Sequence, residues 1–351
     1  MKYSFLPNTI KKATIRIAFT INDAYVKYFV VCLTSLLESA GSEELHFYVI
    51  HDDISEHSKK RILELQSIKN FKMDFLEFDN KALKDIKPQQ FEHISIHSSY
   101  RLLLATIIPD LDKIIYLDAD LVVVKSLKEM WEIDISNYYI ASVNDQSALN
   151  NSFNDWIPKL KLPNDYRYVN AGITLINLKK WREYDLEKKF LIASNIFYDA
   201  IKFPEQDILN IVCAKKNLKI SGIWNAMPLQ KYMVLTEKEE AFSDPHIIHY
   251  AGYNKPWIYP DVPYADLFWK YARKTSYYEE LLYGCKNTQQ QRTVDDIYWL
   301  MHKIRLKNVY YRKFIKYKIL VILTLGLIKK YKNLRNENRK KLKYLKKRFG
   351  W

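Results

Sequence analysis

Lys113-Ile-Ile-Tyr-Leu-Asp118-Ala-Asp120-Leu-Val-Val-Val124 joins a short apolar run to a pair of carboxylates. Ile114 to Leu117 is β-branched and aromatic without polar alternation, the composition of a strand covered on both faces. In extended backbone, positions i and i+2 point to the same side, so Asp118 and Asp120 can converge on one point. Two converging carboxylates repel unless a positive charge joins them. A hard divalent ion such as Mn²⁺ or Mg²⁺ suits their oxygens. In open α/β sheets, ligands bind at the carboxyl ends of the strands, where this pair falls. Taken alone, Asp-x-Asp fits a capped turn as well as a metal site.

Working outward, Ile15 to Thr20 is expected as a strand, Ile21 to Ala24 as a turn, and Tyr25 to Ala40 as an amphipathic helix stopped at Gly41. His46 to Ile50 is expected as a second strand, Ser55 to about Lys69 as a helix, and Phe71 to Phe78 as a third strand. Strand and helix in alternation over 80 residues is the doubly wound α/β pattern. Downstream lie a polar loop from Pro88 to Ser98, a helix from about Ser99 to Ile107, and a strand at Ile140 to Val143. Residues 146–168, with two prolines and many Asn and Asp, suggest an insertion over the site. Asn170 to Asn177 is expected as a strand, Leu178 to Ala200 as mostly helix, Glu205 to Ala214 as helix, and His246 to Tyr250 as a last strand. From Tyr264 onward only helices are expected.

Charge divides the chain. Residues 302–351 hold 18 Lys and Arg against one acid, Glu337, which leaves the other 301 residues 37 basic and 39 acidic side chains. The tail is therefore +17 and the rest −2, so the +15 net charge is a property of the tail, which argues against a nucleic-acid-binding body. Cys32, Cys213 and Cys285 are widely spaced, without a Cys-x-x-Cys pair. This speaks against a disulfide framework or zinc ribbon and for a reducing compartment. Met1 to Lys12 lacks a long apolar segment, and the apolar run Ile319 to Ile328 has ten residues where a spanning helix needs about 20.

Further stretches complete a constellation in sequence order. They are Ile17 to Tyr25, His93-Ile-Ser-Ile, Asn170-Ala-Gly, Glu205-Gln-Asp-Ile-Leu-Asn210, and His249-Tyr-Ala-Gly-Tyr-Asn-Lys255-Pro-Trp257. With Leu117-Asp-Ala-Asp-Leu, and from about Ile15 to Trp257, the chain resembles glycosyltransferase family 8. Within that family the bacterial lipopolysaccharide galactosyl- and glucosyltransferases are most alike. The resemblance implies a GT-A fold, a Rossmann-like mixed sheet flanked by helices. It also implies a UDP-galactose or UDP-glucose donor, Mn²⁺ (Mg²⁺ being the other candidate), and transfer with retention at the anomeric carbon.

The residues have chemistry consistent with this. His249, at a strand end, can add an imidazole nitrogen to the oxygens of Asp118 and Asp120, a set that favours Mn²⁺ over Mg²⁺. A core histidine bonded to a backbone carbonyl is the plainer reading, and Gly252 and Lys255 nearby favour the ligand. Gly252 lets backbone approach a diphosphate, and Lys255 can neutralise the leaving UDP. By resemblance, Thr20, Asn22, Tyr25 and Ala119 belong to the nucleotide site, with Tyr25 stacking on uracil and Asn22 standing where the relatives carry an Asp. Arg101, Asn170, Ala171, Glu205 and Gln206 match positions facing the donor sugar. Glu205 is one methylene longer than the Asp of the closest look-alikes, which bears on hexose choice. Gln206 falls on the β-face of the anomeric carbon; an amide is a poor nucleophile, so front-face displacement is expected rather than a covalent intermediate. Asp145, His93 and His97 are expected to face the acceptor, and Asp207 to be a structural acid at a helix start.

The expected organisation is a catalytic domain over 1–262, a helical part over 263–295, and a basic amphipathic tail over 296–351 that lies on an anionic membrane. A helical appendage with a disordered basic end is the alternative for the tail. The expected location is the cytoplasm, at the inner face of the cytoplasmic membrane, with no nucleic-acid partner. Two rivals have different chemistry. Asp118-x-Asp120-x-Val122 also fits a phosphotransferase of the haloacid dehalogenase type, and a non-catalytic GT-A-like glycan- or membrane-binding protein would keep the fold alone.

Overall fold

A computed structural model describes residues 14–78, 99–146, 157–228, 240–252, 255–260, 262–286, 288, 312–317, 333–340 and 343. The chain divides into two compact units, Met1–Tyr283 and Gly284–Trp351.

Within the first unit, β1 (Thr14–Thr20), β2 (Glu44–His51) and β3 (Lys72–Glu77) run parallel, and β4 (Lys113–Leu117) joins β1 in parallel. β7 (Val169–Asn177) pairs antiparallel with β4 and with β6 (Ile140–Asn144), and β8 (Asn217–Lys219) lies parallel to β6. The described sheet therefore has seven strands in the order β3-β2-β1-β4-β7-β6-β8, with β7 the one reversed strand. A separate antiparallel ribbon pairs β5 (Leu121–Val123) with β9 (Ile247–His249).

Side-chain alternation sorts the strands into two layers. Ile15, Ile17 and Phe19 of β1, with Ile115 and Leu117 of β4, pack under α1 (Val26–Ser39) together with the ribbon. Ala18, Ile114 and Tyr116 face the opposite layer, where Trp181 of α5 (Leu178–Glu183), Phe190 of α6 (Leu186–Ile196), and Ile208 and Leu209 of α7 (Pro204–Cys213) close the core. All nine residues of β7 are buried, as a strand covered on both faces should be. α8 (Ala265–Ala272) packs Phe268 and Tyr271 into the α1 layer.

Three expected helices are shorter or broken. The helix begun at Ser55 runs as α2 (Glu56–Leu63) and tightens into a 3₁₀ turn over Glu64–Ser67. The one expected over Ser99 to Ile107 is a 3₁₀ turn, Tyr100–Leu103, followed by α3 (Leu104–Ile107). The stretch from Leu178 splits at Asp185, whose φ of 49° is left-handed and so ends one helix before the next begins. α4 (Lys128–Glu132) and β8 were not anticipated. The loop from Pro88 to Ser98, and with it His93 and His97, lies outside the described residues, as does the run Ile319 to Ile328. No helix among the described residues is long and apolar enough to cross a membrane.

Candidate active site

The acid pair sits where the chain changes sheets. Up to Leu117 the strand pairs with β7, Leu117 standing opposite Ile173, and the Asp118 N–H still reaches the Gly172 carbonyl at 2.7 Å. From Leu121 the partner is β9, with Leu121 opposite His249, and the Tyr250 N–H reaches the Asp120 carbonyl at 3.0 Å. Asp118-Ala119-Asp120 is thus the bridge between two pairings, and backbone hydrogen bonds fix it at both ends. The same register delivers His249, 129 positions beyond Asp120 in sequence, to the carboxylates.

One ligand atom from each of Asp118, Asp120 and His249 lies within 4.8 Å of the others. His249 Nε2 is 3.2 Å from Asp120 Oδ1 and 3.7 Å from Asp118 Oδ2. The histidine is buried. Two observations fit a cation here. Asp120 Oδ1 is buried without a hydrogen-bond partner, an oxygen that a metal would satisfy. Gly172 leaves the necessary space: a Cβ there would stand 2.4 Å from Asp118 Oδ2 and 2.5 Å from His249 Cε1. Mixed oxygen and imidazole donors suit Mn²⁺ better than Mg²⁺.

Lys255 places Nζ on Asp120 Oδ2 and donates to the Tyr250 carbonyl at 2.8 Å. Burial works against ionisation of Asp120, but Lys255 and His249 outweigh it and hold the carboxyl well below the usual carboxylate range. Arg101 is buried and donates from Nη2 to Asp118 Oδ1 at 2.9 Å and from Nη1 to the Ala171 carbonyl at 3.1 Å; Glu205 Oε1 lies 3.9 Å from Nη2. The Arg101 guanidinium also lies 4.4 Å from the centre of the Tyr116 ring. Tyr116 in turn donates to Asp118 Oδ1 at 3.1 Å, with Thr20 Oγ1 2.8 Å from its hydroxyl.

A second cluster adjoins the first. Pro204 opens α7, and Gln206 turns from its first turn toward β7. Gln206 Oε1 accepts from the Ala171 N–H at 3.0 Å and from Asn170 Nδ2 at 3.1 Å. Gln206 Nε2 and Asn170 Nδ2 each donate to Asp145 Oδ2 at 3.2 Å. Asp207, expected as a structural acid, accepts from the N–H groups of Lys202 and Phe203 at 2.7 and 2.9 Å. Asn22 caps the turn Asp23–Tyr25 by accepting the Tyr25 N–H at 3.1 Å, which leaves one lone pair of its oxygen for another donor. Tyr25 meets Trp257 edge-on at 6.4 Å, and Trp257 stacks on Tyr28 at 4.0 Å. Gly252 has φ +71°, a conformation that favours glycine, and a Cβ there would meet nothing within 4 Å.

Asn225 was not singled out from sequence, and Gly172 and Tyr116 entered only within quoted stretches, without a role of their own. Gly172 carried a signal: it is one of only seven glycines and interrupts a strand pattern. Asn225 carried a weaker one, a lone amide between Trp224 and Ala226. It is fully buried and hydrogen-bonds both His249 and Asn170.

A mostly parallel α/β sheet, with an acid pair following a central strand and a histidine brought to it by the ribbon, places the chain in the GT-A class of glycosyltransferases. The match to the "Glycosyl transferase family 8" description spans residues 16–260, and the chain belongs to that family. A Haemophilus influenzae relative is 31% identical over 245 residues, 70% of this chain and 73% of its own length. An Escherichia coli lipopolysaccharide 1,2-glucosyltransferase is 26% identical over 259 residues, 70% of this chain and 74% of its own. The crystal structure of galactosyltransferase LgtC in complex with donor and acceptor sugar analogs superimposes with a TM-score of 0.66 at 26% identity, over 75% of this chain and 96% of LgtC. The protein is therefore a glycosyltransferase, which sets aside the phosphotransferase and non-catalytic readings.

Proposed function

We propose that the protein moves galactose or glucose from its UDP-sugar, with retention at the anomeric carbon, to a bacterial glycan or glycolipid of the lipopolysaccharide-core kind. The observation that carries this reading is the convergence of Asp118, Asp120 and His249 within 4.8 Å beside the Asn170, Gln206 and Asp145 network. Those three side chains would hold Mn²⁺, or Mg²⁺ in its place. The ion would supply Lewis-acid neutralisation of the departing diphosphate.

The chain's own groups do the rest. Lys255 brings a second positive charge to the diphosphate end, favouring the state in which UDP carries the most charge. Arg101 and Tyr116 fix the rotamer of Asp118. Asn22 and Tyr25 hold the uracil, with Thr20 and Ala119 in the same nucleotide site, and Gly252 lets backbone approach the diphosphate. Gln206, Asn170, Ala171 and Glu205 orient the hexose. The Gln206 oxygen already accepts two hydrogen bonds, which makes it a poor nucleophile and supports front-face displacement, the acceptor proton passing to the donor's own phosphate oxygen. Asp145 faces the acceptor side.

UDP-sugar hydrolysis across a panel of hexose donors, with and without Mn²⁺, tests this without knowledge of the acceptor. Release of UDP from UDP-galactose or UDP-glucose only with the ion is the expected result. Failure on every UDP-hexose would overturn the reading.

The basic tail is part of the same proposal, with the catalytic domain over 1–262, helices over 263–295 and a membrane-associating segment over 296–351 on the inner face of the cytoplasmic membrane. Residues 312–317 and 333–340 are helical and carry Arg312, Lys313, Lys316, Arg335, Arg339 and Lys340. Each such charge contributes about 1 kcal/mol at an anionic surface. Co-sedimentation of the full chain with phosphatidylglycerol vesicles but not phosphatidylcholine vesicles, reversed by salt, is expected.

A further inference from the structure

Two backbone N–H groups determine how the side-chain amides of Asn170, Asn225 and Gln206 must be oriented. Gly172 N–H donates at 3.0 Å to one atom of the Asn170 amide, which must therefore be its oxygen. That oxygen also receives a contact of 2.9 Å from Asn225, so the Asn225 atom facing it is the NH₂ group. The other Asn225 atom is then the carbonyl oxygen, and it lies 3.0 Å from His249 Nδ1. An oxygen only accepts, so Nδ1 carries a proton, and Nε2 is the nitrogen that faces Asp118 and Asp120 and can ligate. From Asn170 the chain of hydrogen bonds continues through Nδ2 to Asp145 and Gln206, and Ala171 N–H anchors the Gln206 end in the same way.

We propose that Asn225 is a positioning residue that locks His249 in the Nδ1–H form and couples it to the Asn170–Gln206–Asp145 cluster. Its first role is to keep the imidazole ready to ligate through Nε2. Its second is to hold Asn170 in the orientation that offers Nδ2 to Asp145 and Gln206. Both roles follow from one amide having one acceptor and one donor end in use, and from its complete burial, which leaves no water to substitute. The inference rests on the metal-dependent reading above, but its first half concerns the imidazole alone.

Three variants separate the possibilities. In metal-free protein labelled with ¹⁵N-histidine, His249 (assigned by its absence in H249Q) is expected to show protonated Nδ1 in the wild type and to lose that preference in N225L. Mn²⁺ affinity, read by electron paramagnetic resonance of the free ion, is expected to fall about 10- to 100-fold in N225L. N225D still accepts from Nδ1 but has no N–H for Asn170. It is expected to keep Mn²⁺ affinity near that of the wild type while UDP-sugar turnover at saturating Mn²⁺ drops.

The inference is overturned if wild-type His249 carries its proton on Nε2 with none on Nδ1, if folded N225L binds Mn²⁺ as the wild type does, or if N225D turns over normally. Should N225L fail to fold, N225D alone decides through its split between affinity and turnover. Wild-type protein that binds no Mn²⁺ would bring down the metal reading of the site, while the nitrogen spectra would still decide the His249–Asn225 contact.

Discussion

Leu121 and His249 stand opposite each other in the antiparallel register of β5 and β9. Since Asp120 immediately precedes Leu121, that single pairing brings the imidazole to the acids. The site thus depends on a three-residue ribbon, while the sheet behind it supplies rigidity.

Gly172→Ala tests how tightly the acids and imidazole are packed. The added methyl would meet Asp118 Oδ2 and His249 Cε1 at 2.4 and 2.5 Å, and both belong to short, buried or hydrogen-bonded groups that have little room to retreat. Overpacking of this kind costs about 1–3 kcal/mol. Lower urea-midpoint stability together with a rise in the Mn²⁺ dissociation constant is expected; a variant unchanged in both would show that the cluster yields easily.

Asp120→Asn keeps the shape of the side chain and removes its charge. Lys255 and His249 lose the anion they face, and a metal would lose a ligand. With several kcal/mol of leaving-group stabilisation at stake, Mn²⁺-dependent hydrolysis of the donor should fall by about 100-fold or more. Steady-state kinetics at saturating Mn²⁺ measures it, and a change confined to KM would contradict the assigned role.

Tyr25→Ala addresses uracil stacking. If the ring carries a base, its loss weakens donor binding by about 1–3 kcal/mol, or about five- to 150-fold. Titration calorimetry with UDP gives the number directly. If UDP affinity is unaffected while the melting temperature drops, Tyr25 is simply a packing partner of Tyr28 and Trp257.

Asp23 predicts a pH dependence away from the metal site. Burial opposes its ionisation, yet hydrogen bonds from Ser58 and Ser55 outweigh that and place the carboxyl below its ordinary value. A depressed folded value means that the contribution is complete above the unfolded value near about 4 and is lost as pH falls through the folded one. Asp23→Asn should therefore lower the melting temperature at pH 7, with the gap to wild type narrowing at acid pH, below about 4. An equal gap at both pH values would rule out the carboxylate as its source.

How far the sequence carried can be judged element by element. β4 and β7 were legible because each carries a run without charged residues, Ile114–Leu117 and Ile173–Ile176, of the β-branched and apolar kind that a strand covered on both faces needs. β8 was not, because its three residues lie at a sheet edge, half-buried or exposed, without a burial pattern. The break at Asp185 was hidden for another reason: neither glycine nor proline marks it, and an ordinary aspartate takes the left-handed turn. At the site, charged residues in a recurring order were visible from the family resemblance. Asn225 and Gly172 work through geometry: one is an amide whose two ends both matter, the other an absent methyl. Each left a faint mark in the sequence, but neither role is readable until His249 and Asp118 are in place around it.

The ribbon that presents His249 is buried but short. Three residue pairs, an isolated bridge between Ala226 and Ile248, and flanking backbone bonds hold it, against extended ladders in the large sheet. A ligand gripping Asp118, Asp120 and His249 together would fasten the loose end of that clasp. Amide hydrogen exchange at Val124 and Tyr250, whose N–H groups bond across the ribbon to His246 and Asp120, should therefore slow on adding Mn²⁺ while that of β1 and β2 stays constant. The ion would then serve as a seam as well as a reagent, and chelation would unpick the front of the molecule without dissolving its frame.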